Sequence, residues 1–450
     1  MSQVEIGAEE QQLTPGATLV LAIQHVLVMY AGAIATPLII GAVLKLPKDQ
    51  VELLINADLL AGGLATIVQT IGFKGVGIRL PIMMGVTFTA IGPMIAIGSN
   101  REFGLLGIYG ATIAAGVFGF LVAPFVAKML RFFPPVVTGT EILAVGLSLM
   151  GVSAAWAGGG FGNPDFGNPT YLMIAGLVLV FVLLMVKFGR GFLANLAILL
   201  GLVFGFAVSV PLGQVSLAGL SEAPWLGFVA PFHFGMPKFD VWAIASMCVV
   251  MLVTFIESTG MFLAIAEITE KPIDEKALVR GFRADSLGNI IGGVFNTFPY
   301  TSFAQNVGLV AVTGVKNRWV CAVGGGILIL LGLVPKLSVI VASIPPCVLG
   351  GASVVMFGMV AANGVRTLSK VDLHRHQNLY VVAISIGIGM IPVVSEKFFS
   401  KLPAALSPIL SSSILLTTVT AVILNIVLNG VSSNEEAARI TLETARDFEV

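Results

Sequence analysis

Residues 298–314, FPYTSFAQNVGLVAVTG, decide the fold, because no single regular element suits them. Pro299 has no amide proton, and Tyr300, Thr301 and Phe303 favour extended backbone, so the segment is expected to enter as a short strand. It then turns into a half-helix, with Gln305 and Asn306 at the change-over. A second segment, RLPIMMGVTFTAIGP (79–93), has the same build of proline, then β-branched and aromatic residues, then glycine. In each, a proline stands six residues before a polar side chain, Pro81 before Thr87 and Pro299 before Gln305.

The surroundings of these segments are apolar. The 450 residues are 56% hydrophobic and only 11% charged, whereas a soluble domain carries about 25% charged residues. Fourteen apolar runs begin near 17, 51, 80, 104, 135, 171, 192, 241, 284, 301, 319, 346, 379 and 411, with thirteen the alternative count because several are short or interrupted. They predict an all-α polytopic membrane protein in which spans 3 and 10 are the broken ones, each contributing one of two short antiparallel strands. The N-terminal stretch MSQVEIGAEEQQLTPG has no Lys or Arg and no short apolar core with a cleavage site, so it is expected to be a retained tail. Of the 24 Lys and Arg, 17 fall after even-numbered spans or in the C-terminal tail and 7 after odd-numbered spans. That excess places both termini in the cytoplasm. A net charge of zero gives no sign of nucleic-acid binding, and Cys248, Cys321 and Cys347, scattered singly in apolar runs, read as small core hydrophobes with no metal role.

The chain also repeats. Pro124 precedes PPVVTG (134–139) by ten residues, Pro335 precedes PPCVLG (345–350) by ten, and the offset is 211 residues in both cases. Seven spans per half is an odd number, so the two copies take opposite orientations, giving a 7+7 inverted repeat. Secondary transporters built this way place their sites at the repeat interface on broken helices, whose N-termini offer free N–H groups and a positive dipole end. Irregular backbone at that depth must be covered by protein or line a cavity.

One ionisable residue stands in the middle of an apolar span, Glu257 in VVMLVTFIESTGMFLAIAEI (249–268). A carboxyl there costs at least ~3 kcal/mol on insertion scales, which makes it a functional-site candidate. His25, beside Gln24 in VLAIQHVLVMY (20–30), is read as an orienting neighbour ahead of a proton carrier. Asp285, behind Arg280 and Arg283, has three readings: an interfacial salt bridge, a helix cap or a proton-coupling group. Glu257, Gln305, the rings of Phe88, Tyr300 and Phe303, and backbone amides make a constellation without a basic cluster. Such a pocket suits a flat heterocycle rich in N–H and C=O groups. No HExxH, G-x-S-x-G or paired-acid loop is present, so no enzyme is expected.

At these residues the sequence resembles the nucleobase-ascorbate transporter family, also called nucleobase-cation symporter family 2. That family's signature is matched in QNVGLVAVTG by Gln305, Asn306, Gly308, Thr313 and Gly314, its Gln-His pair by Gln24 and His25, and its span-eight carboxylate by Glu257. The stretches QHVLVMYAGA, GVTFTAIGPMIAIG and FIESTGMFLAIAEI are similar to bacterial urate and xanthine permeases. Gln305, where uracil carriers have Glu, points to the purine branch. Met261 stands where many relatives have Asp, and Gly314 where Arg is common in urate carriers.

The resemblance implies core and gate domains, with an N-terminal cytoplasmic tail over 1–14, core over 15–133 (spans 1–4), gate over 134–240 (spans 5–7), core over 241–344 (spans 8–11), gate over 345–431 (spans 12–14) and a C-terminal tail over 432–450. It implies a homodimer in the bacterial cytoplasmic (inner) membrane, in contact with lipid, that takes up a small purine by an elevator-type mechanism with no cofactor. The coupling ion is expected to be H⁺ from the residues themselves, because no acidic cluster of the kind a Na⁺ site needs surrounds Glu257, while protonatable Glu257, His25 and Asp285 lie in or near the core spans. The substrate-binding candidates are Glu257, Gln305, Phe88, Thr87, Ala304 and Phe303; the candidates for proton coupling or orientation are His25, Gln24, Asn306 and Asp285. The alternatives are another nucleobase (hypoxanthine, guanine or uracil) and, further off, an anion exchanger of the same architecture.

Overall fold

The computed structural model describes residues 13–430 apart from 101, 130–131, 272, 396 and 404–406. Its first half runs α1 (Pro15–Val43), α2 (Lys48–Ile71), β1 (Met84–Val86), a 3-10 turn (Phe88–Ala90), α3 (Ile91–Gly98), α4 (Gly104–Met129), α5 (Pro135–Ala157), α6 (Pro169–Phe188), α7 (Phe192–Asn195) and α8 (Ala197–Ser209). The second runs α9 (Val241–Thr269), α10 (Glu275–Val294), β2 (Tyr300–Ser302), α11 (Ala304–Thr313), α12 (Arg318–Gly332), α13 (Pro335–Ala342), α14 (Pro346–Leu368), α15 (His376–Val394), α16 (Ser407–Leu410) and α17 (Ser413–Asn429). Two long helices, a strand, a short helix and further long helices thus follow one another twice. The counterparts α5 and α14 both start on the second proline of a PP pair, Pro135 and Pro346. Proline fits the first helical turn, where its missing N–H would be unpaired in any case.

Among the described residues, eight helices are long and apolar enough to cross a membrane, or nine if α12 and α13, bent by 80° at their break, count as one. The chain is a helical polytopic membrane protein. Two packing groups are evident: α2 lies against α12 and α10 against α4, while α5 lies against α14 and α15 against α17. The α5–α14 contact is set by glycines. Gly146 meets Ala361 and Gly364 meets Leu143 so closely that a Cβ at either would strike the opposite backbone. Small residues at a helix interface let backbones approach, which is how helices associate where the hydrophobic effect does not separate helix from lipid.

Strands β1 and β2 pair antiparallel with Met84 opposite Ser302, Gly85 opposite Thr301 and Val86 opposite Tyr300. A two-stranded ribbon has two bare edges, and in an apolar core each unsatisfied backbone group costs several kcal/mol. The edges are met from outside the sheet. Thr66 of α2 accepts the Met84 N–H at 2.9 Å, and Asn289 of α10 accepts the Tyr300 N–H at 2.6 Å. The ribbon closes with Thr87 N–H on Pro299 O and Phe303 N–H on Met83 O.

Helix α10 departs from the apolar reading of span nine. It begins at Glu275, capped by the Asp274 side chain, not near 284 where the apolar run starts. Hydropathy misses its first turns because they carry Lys276, Arg280 and Arg283. Where α9 ends, exposed Glu270 meets Lys316 at 2.5 Å, and that ammonium holds its carboxyl below the usual carboxylate range.

Candidate functional site

The ribbon is the scaffold of the site. Because its strands are antiparallel, the two short helices start from opposite ends, the 3-10 turn and α3 after Val86 and α11 after Ser302. Helix α9 runs alongside and is pinned to it by a 3.2 Å hydrogen bond between the Ser258 and Thr301 hydroxyls. One residue earlier on α9, Glu257 is half-buried, and its Oε1 accepts a 2.7 Å hydrogen bond from the Thr89 hydroxyl. The strand-to-helix change therefore delivers the Thr89 hydroxyl to this acid. This satisfies part of the carboxylate and leaves the rest free for a ligand.

At the other end of the ribbon, Ala304 and Gln305 are exposed in the first turn of α11, which has no side-chain cap. A helix leaves its first N–H groups without internal partners, so hydrogen-bond donors are presented where the Gln305 amide emerges. Asn306 points the other way and is buried. Its Nδ2 donates to the His25 carbonyl at 2.9 Å and lies 3.0 Å from the His25 Nδ1, tying α11 to α1. The Asn306 amide thus reaches both the backbone and the ring of His25 and fixes the position of that ring. Gln24 sits half-buried beside it.

Phe88 is half-buried and meets Phe357 of α14 edge-on, with centroids 5.6 Å apart and planes at 84°. It thus stands between the ribbon and the other packing group. Thr87 is 1% exposed and its hydroxyl accepts the Thr89 N–H at 3.2 Å, so it acts chiefly as the cap of the 3-10 turn.

Three sequence expectations are corrected. Phe303 does not turn its ring into an open cavity; the ring is buried between Gly32 of α1 and Gly85 of β1, where the absence of two side chains leaves a slot. Tyr300 is fully buried, with its hydroxyl donating to Asp58 Oδ1 at 2.7 Å. The strand period of two decides both, since residues 300 and 302 share one face and 301 and 303 the other. Asp285 is neither a cap nor ion-paired among the described residues. It lies well inside α10, fully buried, and accepts from Gln69 Nε2 at 2.8 Å.

Sequence reading passed over Thr66, Asn289, Asp58 and Glu141. Asp58 holds the Tyr300 and Thr297 hydroxyls and so anchors the ribbon to α2. Glu141 of α5 is 3% exposed, lies beside Thr89 and Glu257, and has a buried Oε1 with no hydrogen-bond partner. The signal that singled out Glu257, an acid inside an apolar run, was available for both acids. Glu141 lay only six residues after Pro135, and Asp58, although in the middle of α2, followed a polar helix start.

The family profile described as "Permease family" matches residues 16–398. The chain is 53% identical over 420 residues to the uric acid transporter UacT of Escherichia coli strain K12, covering 93% of this chain and 87% of that one. It is 42% identical over 414 residues to a xanthine permease of Bacillus subtilis strain 168, covering 92% and 94%. Among solved structures, murine Slc26a9, an anion transporter in the inward-facing state, aligns with a TM-score of 0.63 at 12% identity, over 94% of this chain and 69% of that one. The transmembrane domain of a cyanobacterium bicarbonate transporter, BicA, aligns at 0.57 and 14%, over 91% and 96%. At such identities the likeness is one of fold alone.

Proposed function

The chain belongs to the Permease family of urate and xanthine permeases, the nucleobase-ascorbate transporters, and from that premise we propose that it is a proton-coupled importer of an oxidised purine, urate or xanthine. The carrying observation is the Glu257–Thr89 pair held at the end of a protein-covered ribbon, with no basic side chain in the constellation. A carboxylate accepts N–H groups, the Gln305 amide offers both donor and acceptor to a lactam edge, and Phe88 supplies an aromatic face. An anion exchanger would want a cation beside the helix N-termini, and this site puts an acid there.

The family's wider architecture completes the reading. We take the fourteen apolar runs as fourteen crossings in a 7+7 inverted repeat, supported by the doubled element order and by α5 and α14 starting 211 residues apart. The α2–α12 and α4–α10 group forms the core and the α5–α14 and α15–α17 group the gate, and the core carries substrate past the gate in a homodimer. The 17-to-7 division of Lys and Arg favours cytoplasmic termini in a bacterial inner membrane. Moving an ionised Glu257 through the bilayer is costly, so a proton bound together with the purine eases the step.

Uptake of labelled urate and xanthine into vesicles tests this. Accumulation is expected to collapse when an uncoupler removes the pH gradient while a Na⁺ gradient is held. Accumulation that survives the uncoupler and follows Na⁺ refutes proton symport. Gln305→Glu is expected to weaken purine affinity about tenfold by turning a donor into an acceptor, and to change which purines compete. An unchanged competition profile would mean that Gln305 only starts the helix.

A further inference from the structure

We propose that Glu141 is a second coupling carboxyl, supplied by the gate, which shares one proton with Glu257 of the core through the Thr89 hydroxyl. The inference rests on the proton-symport reading above and assigns that reading a residue in α5.

Three observations carry it. Glu141 is 3% exposed, and its Oε1 is buried without a partner, so the side chain is aimed at something other than solvent. It lies beside both Thr89 and Glu257, while Thr89 already donates its single hydroxyl proton to Glu257 Oε1 at 2.7 Å. A hydroxyl has one proton to give but can still accept. Two ionised carboxylates around one such hydroxyl repel each other in an apolar setting, and one proton between them removes the conflict.

The Thr89–Glu257 bond is already made, and Glu141 has no hydrogen bond to Thr89 in this conformation. In the proton-sharing state, protonated Glu141 turns its acid onto Thr89 Oγ1 and donates to it, while Thr89 donates to the Glu257 carboxylate. If the Glu141 proton passes to Thr89 as the Thr89 proton passes to Glu257, one proton has moved from gate to core with no change in total charge. Among the described residues, the groups that act on Glu141 are Glu257 and Thr89. The ionisable groups on the helices packed against α5 are Cys347 and Arg366 of α14, Tyr380 and His376 of α15, and Tyr171 and Lys187 of α6.

The location gives the shared proton a further role. Thr89 and Glu257 belong to the elements around the ribbon, whereas α5 packs on α14, α15 and α17. One proton therefore joins the two groups in the conformation seen here, and its loss leaves like charges facing across their interface. Proton release is thereby tied to their separation.

The test uses purified full-length protein in proteoliposomes, with labelled urate and xanthine and a fixed membrane potential. Initial rates are measured between external pH of about 5 and 9. Glu141→Gln keeps the shape and cannot exchange a proton, and Thr89→Val removes the bridge. Each is expected to reduce the pH dependence of the wild-type rate by about tenfold. A merely structural Glu141 would lower rates at every pH and leave the profile's shape alone, so a wild-type shape in Glu141→Gln overturns the proposal. If Glu141→Gln aggregates on gel filtration, Glu141→Asp, whose shorter acid no longer reaches Thr89, replaces it; an unshifted profile there is equally fatal. A wild type insensitive to uncoupler overturns the symport reading itself. An uncoupler-sensitive wild type with an unchanged Glu141→Gln profile overturns only the role of Glu141.

Discussion

Glu257→Gln is expected to lower purine uptake at least tenfold, a loss of ~1.4 kcal/mol or more in transition-state binding. The substitution preserves length and branching, so α9 should still pack on the ribbon through Ser258 and Thr301. Its amide oxygen can still accept the Thr89 proton that Glu257 Oε1 accepts now. The change falls on the second atom, where an acceptor becomes an NH₂ donor and meets any ligand N–H head-on. A buried donor without an acceptor costs about 1–3 kcal/mol, and the lost charge removes the stronger, charge-assisted hydrogen bond as well. Glu257→Asp keeps the charge but withdraws it by one methylene, so it is expected to retain more activity than Gln. Initial rates against substrate concentration in membrane vesicles, normalised to carrier amount, decide the matter. Near-normal uptake by Glu257→Gln would remove this residue from the centre of the site.

The two broken segments were legible from residue type because proline and β-branched residues act locally. Pro81 and Pro299 each remove a backbone donor and are followed by residues that favour extended backbone; the combination is the signal, since Pro37, Pro124 and Pro392 lie inside α1, α4 and α15. What satisfies the ribbon's edges was not legible. Thr66 and Asn289 lie 18 and 11 residues from the N–H groups they accept, and nothing in a polar residue on a helix says which strand it will meet. Facing directions failed for the same reason. Phe303 looked like a ligand-facing ring on composition, yet its direction follows from strand register and from glycines at 32 and 85, two positions remote in sequence. His25 was legible as a polar residue in an apolar span, but its partner, the Asn306 amide that holds it, lies 281 residues away and was not. Acids divided by surroundings: Glu257 stood in a continuous apolar run, whereas Asp58, although in the middle of α2, followed a polar helix start, and Glu141 stood in the second turn of α5; both became buried through helix packing that hydropathy does not report.

Gly85→Ala is expected to cut transport by roughly tenfold or more, although residue 85 has no functional group, because it displaces the start of α11. A Cβ at Gly85 would come within 2.6 Å of Phe303 Cε2, and the ring tip already leaves no room at α1, where a Cβ at Gly32 would come within 2.5 Å of Cζ. The ring is therefore confined by both β1 and α1. The strain must move Phe303 itself, whose N–H is fixed to Met83 O and whose next residues are Ala304 and Gln305. Overpacking of this kind costs about 1–3 kcal/mol, enough to shift the helix start by the fraction of an ångström that a hydrogen-bonding site cannot absorb. Deleting the ring instead, by Phe303→Ala, opens a cavity and is expected to cost ~3–5 kcal/mol of stability, seen as a lower melting temperature in detergent. The pair provides the control: Gly85→Ala with Phe303→Leu makes room for the new methyl group and should recover part of the transport that Gly85→Ala alone loses. Strict additivity of the two losses would show that the residues are not coupled and that the slot between Gly32 and Gly85 does not position α11.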